Sequence, residues 1–166
     1  MTDSLQNHYE SAFAKNDGEI YGTMSKLDVA AHTRKLEILS GIDLPDLSHS
    51  TVLDYGVGSW GFGCIFDRIK QCKVGIGIDV SSVAIAMSEK VSSADPALAG
   101  KTIKYLTSSG YDIDLPDDSV DLIFCGECIE HIEESTTFLS ELYRVLKLGG
   151  LAIFTTPNSK PWLYRQ

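Results

Sequence analysis

Five short apolar runs constrain the fold of this chain more than any other feature: TVLDY (51–55), KVGIGID (73–79), TIKYL (102–106), SVDLIFC (119–125) and LAIFTT (151–156). They are rich in β-branched residues, and several lack strict in–out alternation, which marks strands buried on both faces. Between them lie stretches with helical character: roughly 60–70, SSVAIAMSEKVSS (81–93) and EESTTFLSELYRVLKLGG (133–150). The last is the clearest. Phe138, Leu139, Leu142, Val145 and Leu146 share one face, Ser135 is placed to cap the start, and Gly149 to close the end. Strands alternating with helices imply right-handed crossovers, hence an α/β three-layer domain with a parallel sheet between helices. The 166 residues suit one such domain. Ahead of it, Leu27, Ala30, Ala31, Leu36 and Leu39 recur at near-helical spacing and Gly41 stands where a helix would stop. The expected division is a helical segment over 1–48 and a core over 49–166.

Charge narrows the partners. Fourteen Lys and Arg against 23 Asp and Glu give a net charge of −9, which disfavours nucleic acid and anionic lipid because both need a clustered basic field. The opening MTDSLQNHYE has no basic segment leading into an apolar core, and no apolar run approaches the ~20 residues that cross a bilayer. A cytoplasmic protein with no membrane span and with reduced cysteines is therefore expected.

An open parallel sheet binds ligands beyond the carboxyl ends of its strands, where strand order reverses. After the first strand, Gly56, Gly58 and Gly61 satisfy G-x-G-x-x-G at a strand-to-helix turn, where backbone can approach a ligand closely. A glycine-rich turn with no ligand is the alternative. Asp79 ends the second strand, 18 residues after Gly61. A carboxylate there can accept from both ribose hydroxyls of a nucleoside while Val80 covers a face of the base; Asp79 could equally cap the following helix. Nicotinamide cofactors and S-adenosylmethionine (SAM) both carry an adenosine. Asp54, two residues before Gly56, separates them: it is awkward beside a pyrophosphate but suits the ammonium of SAM, unless it only faces solvent or caps.

TVLDYGVGSWGFG resembles the first motif of class I SAM-dependent methyltransferases, and VGIGIDVSSVAIAMSEK their second strand, ribose-binding acid and helix. SSGYDIDLPDDSVDLIFCGECIEHIEE is similar to the third-to-fourth-strand region, and ELYRVLKLGGLAIFTTPN to the helix, glycine turn and fifth strand. The likeness runs over about residues 50–158, with the motifs in the family's order. It implies a Rossmann-like α/β/α sandwich with parallel strand order 3-2-1-4-5, SAM as cofactor and S-adenosylhomocysteine (SAH) as product. It further implies that Gly56, Val57 and Gly58 bring backbone against the methionine portion, that Asp54 orders the ammonium and that Asp79 holds the ribose with Val80 beside the base. Ser109 and Gly110 fall where the family reads the adenine edge, with Tyr111 next to them. Serine departs from the usual acid there, and as a neutral acceptor should bind more weakly, by ~1 kcal/mol. Backbone near Cys125 and Gly126 would face the ammonium and the sulfonium. Trp60 is a second departure, where many members have glycine.

The closest subgroup has E-x-x-x-H after strand four and acts on quinones, sugars, lipid precursors and other small molecules, so a small-molecule or lipid- or sugar-linked acceptor is expected. Glu127 and His131 would share a helical face if the turn continues, making His131 the first candidate for a general base and Glu127 the second. The alternative is that His131 only hydrogen-bonds backbone and shapes the loop; Glu130 is expected to be solvated. Cys125-x-x-Cys128-x-x-His131 has metal-like spacing, but no second paired cluster exists, so small residues lining the cleft are preferred to zinc or a redox dithiol, and no metal is expected. Tyr9 and Tyr21 belong either to a lid or to helix packing. The chain stops at TPNSKPWLYRQ, so the family's closing β-hairpin is expected to be absent: either the chain is a fragment, or it is a reduced version whose sheet edge is left to a second copy or another partner. Two rivals stay open: an NAD(P)-dependent oxidoreductase, and a non-catalytic assembly or regulatory module of the same fold.

Overall fold

The computed structural model describes residues 41–59, 61–62 and 65–157. The helix expected over 25–40, Tyr9, Tyr21, Trp60, Cys64 and the chain beyond Pro157, with the hairpin question, lie outside the described residues. In chain order the elements are β1 (Thr51–Tyr55), α1 (Phe66–Ile69), β2 (Val74–Asp79), α2 (Ser82–Ala94), a 3-10 turn (Pro96–Leu98) and β3 (Thr102–Thr107). β4 (Val120–Gly126), a second 3-10 turn (Ile129–His131), α3 (Ser135–Val145) and β5 (Leu146–Thr155) follow. All five strands are parallel, in the order β3-β2-β1-β4-β5, as expected.

Alternation along the strands divides the core into two faces. Val52, Leu122 and Phe124 lie on one, under Phe62, Ile65, Ile69 and Ile85, with Leu47 and the partly buried Ile42 and Leu44 packed there. Leu53, Tyr55, Ile76, Ile78 and Ile123 lie on the other, under Phe138, Leu142 and Val145 of α3. In β2 this puts both isoleucines on the α3 side and both glycines on the α2 side. The reason is spatial: a Cβ at Gly77 would stand 2.6 Å from the Tyr105 ring, which stacks on Phe62 with centroids 5.3 Å apart. The long loop after β3 is fastened to α3 by Arg144, which donates to the carbonyls of Ile113 and Leu115, to Glu141 and to Asp117.

The last helix departs from expectation at both ends. Glu134, without a side-chain cap bond, precedes it, and Ser135 is its first residue. It stops at Val145, Leu146 turns extended (ψ 128), and β5 begins five residues earlier than the apolar run suggested. Gly149 (φ +81) therefore bends a strand, within the irregular stretch where Val120 pairs Leu146 but Leu122 pairs Leu151. A long-range pair explains the shift: Lys147 donates to both oxygens of Asp121, whose Oδ2 also accepts from Thr51 N–H. Leu139 is 41 % exposed, because the buried stripe is Phe138, Leu142 and Val145 and Leu139 falls off it. Among the described residues, the helix expected over 60–70 is regular at Phe66–Ile69. Among the described residues, no helix is long and apolar enough to cross a membrane.

Candidate functional site

The chain leaves the end of β1 in a turn that needs glycine at three described positions. Gly56, Gly58 and Gly61 have φ of +78°, +65° and +57°, in the left-handed region that side chains disfavour. The amides of Gly56 and Val57 both donate to the Ile78 carbonyl (2.8 and 3.0 Å), folding the chain over the tip of β2. Ser88 of α2 secures the far side, accepting from Gly61 N–H (2.9 Å) and donating to the Gly58 carbonyl (2.8 Å).

The surroundings separate the glycines. A Cβ at Gly61 would lie 2.7 Å from Ser92 Oγ and 3.3 Å from the Ser88 carbonyl, so Gly61 lets α2 approach. At Gly56 it would meet the Cys128 side chain at 3.1 Å. At Gly58 it would meet no described residue within 4 Å, so among the described residues the main chain there borders open space. Val57 is buried in the core beneath the loop. Gly61→Ala is expected to destabilise the fold by about 1–3 kcal/mol, through backbone strain and contact with α2; urea unfolding measures it.

Two carboxyls sit at this opening. Asp79, 8 % exposed at the tip of β2, accepts from Gly58 N–H through Oδ2 and from Ser81 N–H through Oδ1, both at 2.9 Å. Ser81, not Asp79, is the N-cap residue of α2, accepting from Ala84 N–H. Val80, half-buried, stands between them. Asp54, 5 % exposed, receives no hydrogen bond from a described residue; burial, and then the charge of Asp79, push its carboxyl up to about 8. A dehydrated acid held beside a second acid favours a cation, which would relieve both.

The loop after β3 flanks the tip of β2. Ser108 N–H donates to the Asp79 carbonyl, and its hydroxyl accepts from Gly110 N–H and donates to the Asp112 carbonyl. Ser109 is exposed at the turn. Gly110 (φ +85°) is buried against the Tyr55 hydroxyl and, at 2.9 Å from a notional Cβ, the Phe138 ring. Gly110→Ala should accordingly lower the unfolding free energy by about 2–4 kcal/mol, the sum of strain and overpacking. Half-buried Tyr111 accepts from Glu134 N–H, turning its hydroxyl toward the start of α3.

At the tip of β4, Cys125 is wholly buried beneath the sheet's α3 face and Gly126 is half-buried. Cys128 lays its thiol over Gly56; a hydrogen bond with Cys125, followed by burial, pushes that thiol well above its ordinary range. Both cysteines are free thiols. Among the described residues no three His, Cys, Asp or Glu side chains converge to hold a metal ion. Glu127 has φ +53° and is tied by its N–H to the Thr155 carbonyl, whereas His131 ends a separate 3-10 turn. The shared helical face expected for Glu127 and His131 is thus not formed, because a left-handed residue interrupts the turn. His131 is exposed. Glu130 stands 4.0 Å from it and, exposed as expected, also accepts from the Thr156 hydroxyl.

Asp54, Gly56, Val57, Gly58, Asp79 and Val80 are therefore gathered at the tips of β1 and β2, with Cys125 and Gly126 on the adjoining β4. His131 lies farther along the β4 loop. Sequence reasoning missed Ser81 and Ser88, while Cys128 lies at the cleft as the small-residue reading of the CGEC segment expected. The signal for Ser88 is its place in the buried stripe Ala84, Ile85, Ser88 and Ser92 of an otherwise apolar helix face.

A family model described as a methyltransferase domain matches residues 53–154. The ubiquinone biosynthesis O-methyltransferase of Schizosaccharomyces pombe is 29 % identical over 110 residues, 66 % of this chain and 38 % of that protein. The malonyl-[acyl-carrier protein] O-methyltransferase of a Marinomonas species is 30 % identical over 115 residues, 68 % of this chain and 40 % of its own. The chain thus spans about two fifths of the length of these curated relatives. Among solved structures, phosphoethanolamine N-methyltransferase 2 of Haemonchus contortus in complex with SAM superimposes with a TM-score of 0.61 at 26 % identity, covering 75 % of this chain and 28 % of that one. With its sheet order, its glycine turn and a model match over most of its length, the chain belongs to the methyltransferase-domain family, of the class I SAM-dependent type.

Proposed function

We propose that the chain binds SAM across the tips of β1, β2 and β4 and transfers its methyl group to a small-molecule or lipid- or sugar-linked acceptor. The observation that carries this reading is the acid pair Asp54 and Asp79 at a glycine turn whose middle glycine borders open space. The residues fit the cofactor. Asp79 places a carboxylate acceptor at the tip of β2 for ribose hydroxyls, Val80 stands next to it for the base, and Asp54 supplies a dehydrated carboxyl for the ammonium. Asp54 also disfavours a dinucleotide, whose pyrophosphate would lie against it, whereas Asp79 suits the ribose of either cofactor. SAM, when bound, supplies a methyl group already activated for in-line displacement. The chain's own contribution is orientation and exclusion of water: the Gly58 backbone as floor, Gly126 at the reactive end, and Ser109, Gly110 and Tyr111 at the adenine edge.

His131 is proposed as the base that takes a proton from the acceptor, with Glu127 as the second candidate. Residues 1–48 are proposed to cover the acceptor side. Names among the relatives, from ubiquinone biosynthesis to malonyl carrier protein and phosphoethanolamine, support acceptors that are small or carried.

Thermal unfolding of the 166-residue chain with SAM, SAH and NAD+ tests the reading. At a hundredfold over Kd, SAM and SAH should each stabilise by about 2.7 kcal/mol and NAD+ by nothing; protection by NAD+ alone would overturn it. Gly58→Ala should cost the fold only about 1 kcal/mol yet weaken SAM by tenfold or more, since its methyl fills the bordering space.

A further inference from the structure

Thr155, the last residue of β5, pairs across the sheet with Gly126. Its Oγ1 lies 3.4 Å from the point where a Cβ on Gly126 would stand. Among the described residues it is the buried side-chain polar atom that finds no hydrogen-bond partner. The carbonyl of the same residue is already engaged by Glu127 N–H. A buried hydroxyl left unpaired is costly, and folds keep one chiefly where something outside the chain completes it.

The position says what that something is. Strand order places β4 and β5 on the far side of β1 from the ribose acid Asp79, so Thr155 adjoins Gly126 at the reactive end of the proposed cofactor path. We infer that Thr155 Oγ1 positions the methyl acceptor, by hydrogen-bonding a protic O–H or N–H group at or next to the atom that is methylated. The class of substrate is therefore an acceptor with a protic oxygen or nitrogen. In the transfer the acceptor lone pair forms the new bond to carbon, the carbon–sulfur pair stays on sulfur, and the acceptor's proton leaves through a base. Thr155 neither gains nor loses a proton, and is a positioning residue.

The inference rests on the SAM reading, and its test keeps the two apart. Sinefungin carries a primary amine where SAM carries its methyl sulfonium, so its N–H groups stand where methyl and acceptor meet; SAH has nothing there. Kd values for both nucleosides are measured by calorimetry on the wild-type chain, Thr155→Val and Thr155→Ser, with Thr155→Ala as a second hydroxyl deletion in case valine disturbs β5. Thr155→Val should weaken sinefungin by about tenfold, leave SAH unchanged and leave the urea midpoint level or higher, and Thr155→Ser should restore the wild-type ratio. An unmoved ratio of the two affinities in the hydroxyl deletions, with SAH still bound, overturns the role of Thr155 alone. Failure of the wild-type chain to bind either nucleoside overturns the SAM reading and this inference together.

Discussion

Asp79→Ala is expected to weaken SAM by at least about a hundredfold and to lower the stability of the free chain by about 2–3 kcal/mol. The two losses have separate origins. The affinity falls because the carboxylate that would accept from the ribose is gone. Stability falls because Gly58 N–H and Ser81 N–H, each bound at 2.9 Å in the native site, lose their acceptor where little water can replace it. Asp79→Asn divides them: one side-chain oxygen remains to hold an amide, so stability should recover in part while affinity stays low. Calorimetric titration with SAM and urea unfolding on both variants read the effects. Unchanged SAM affinity in Asp79→Ala would remove Asp79 from the site.

Asp54 should make both stability and binding depend on pH, in opposite directions. Its carboxyl is held at about 8 in the fold, against the ordinary 3.8 of an aspartate in the unfolded chain. Between those values the native state keeps a proton that the unfolded chain has lost, so the stability contributed by neutral Asp54 is complete below about pH 4 and is lost as pH rises through about 8. Asp54→Asn lacks this loss. Its unfolding free energy relative to wild type should therefore rise by more than about 2 kcal/mol between about pH 5 and pH 8, and level off above. SAM binding runs the other way, since an ammonium favours the ionised acid. Wild-type affinity should climb toward about pH 8 with a proton released on binding below it, and Asp54→Asn should lose both the slope and about tenfold in affinity. Titrations in buffers of different ionisation enthalpy count the proton. A pH-independent difference between the two chains would show that Asp54 is ionised throughout.

The layered fold was legible because its signals are local. Runs such as VGIGID are too apolar to face water, and the helical stripes between them have nowhere else to pack. The glycine turn and the two acids were legible for the same reason: each follows a strand end, and parallel register brings those ends together. Helix α3 was misread at its end because Gly149 is an adequate helix stop, and the pair that draws the chain into β5 instead, Lys147 with Asp121, spans 26 residues. Glu127 and His131 were placed on one face because four-residue spacing assumes a helix, which the left-handed Glu127 forbids.

What the sequence by itself determined was the parallel sheet and the crevice at the strand tips, both functions of spacing and hydrophobicity along the chain, while the strand order followed from the family resemblance. Only the tertiary structure decided that Gly58 borders the opening while Gly61 seats a helix, that Asp54 is the acid held near neutrality, and that the Thr155 hydroxyl is left without a partner. Dehydration and through-space charge depend on how closely distant segments approach, and no local pattern encodes that distance.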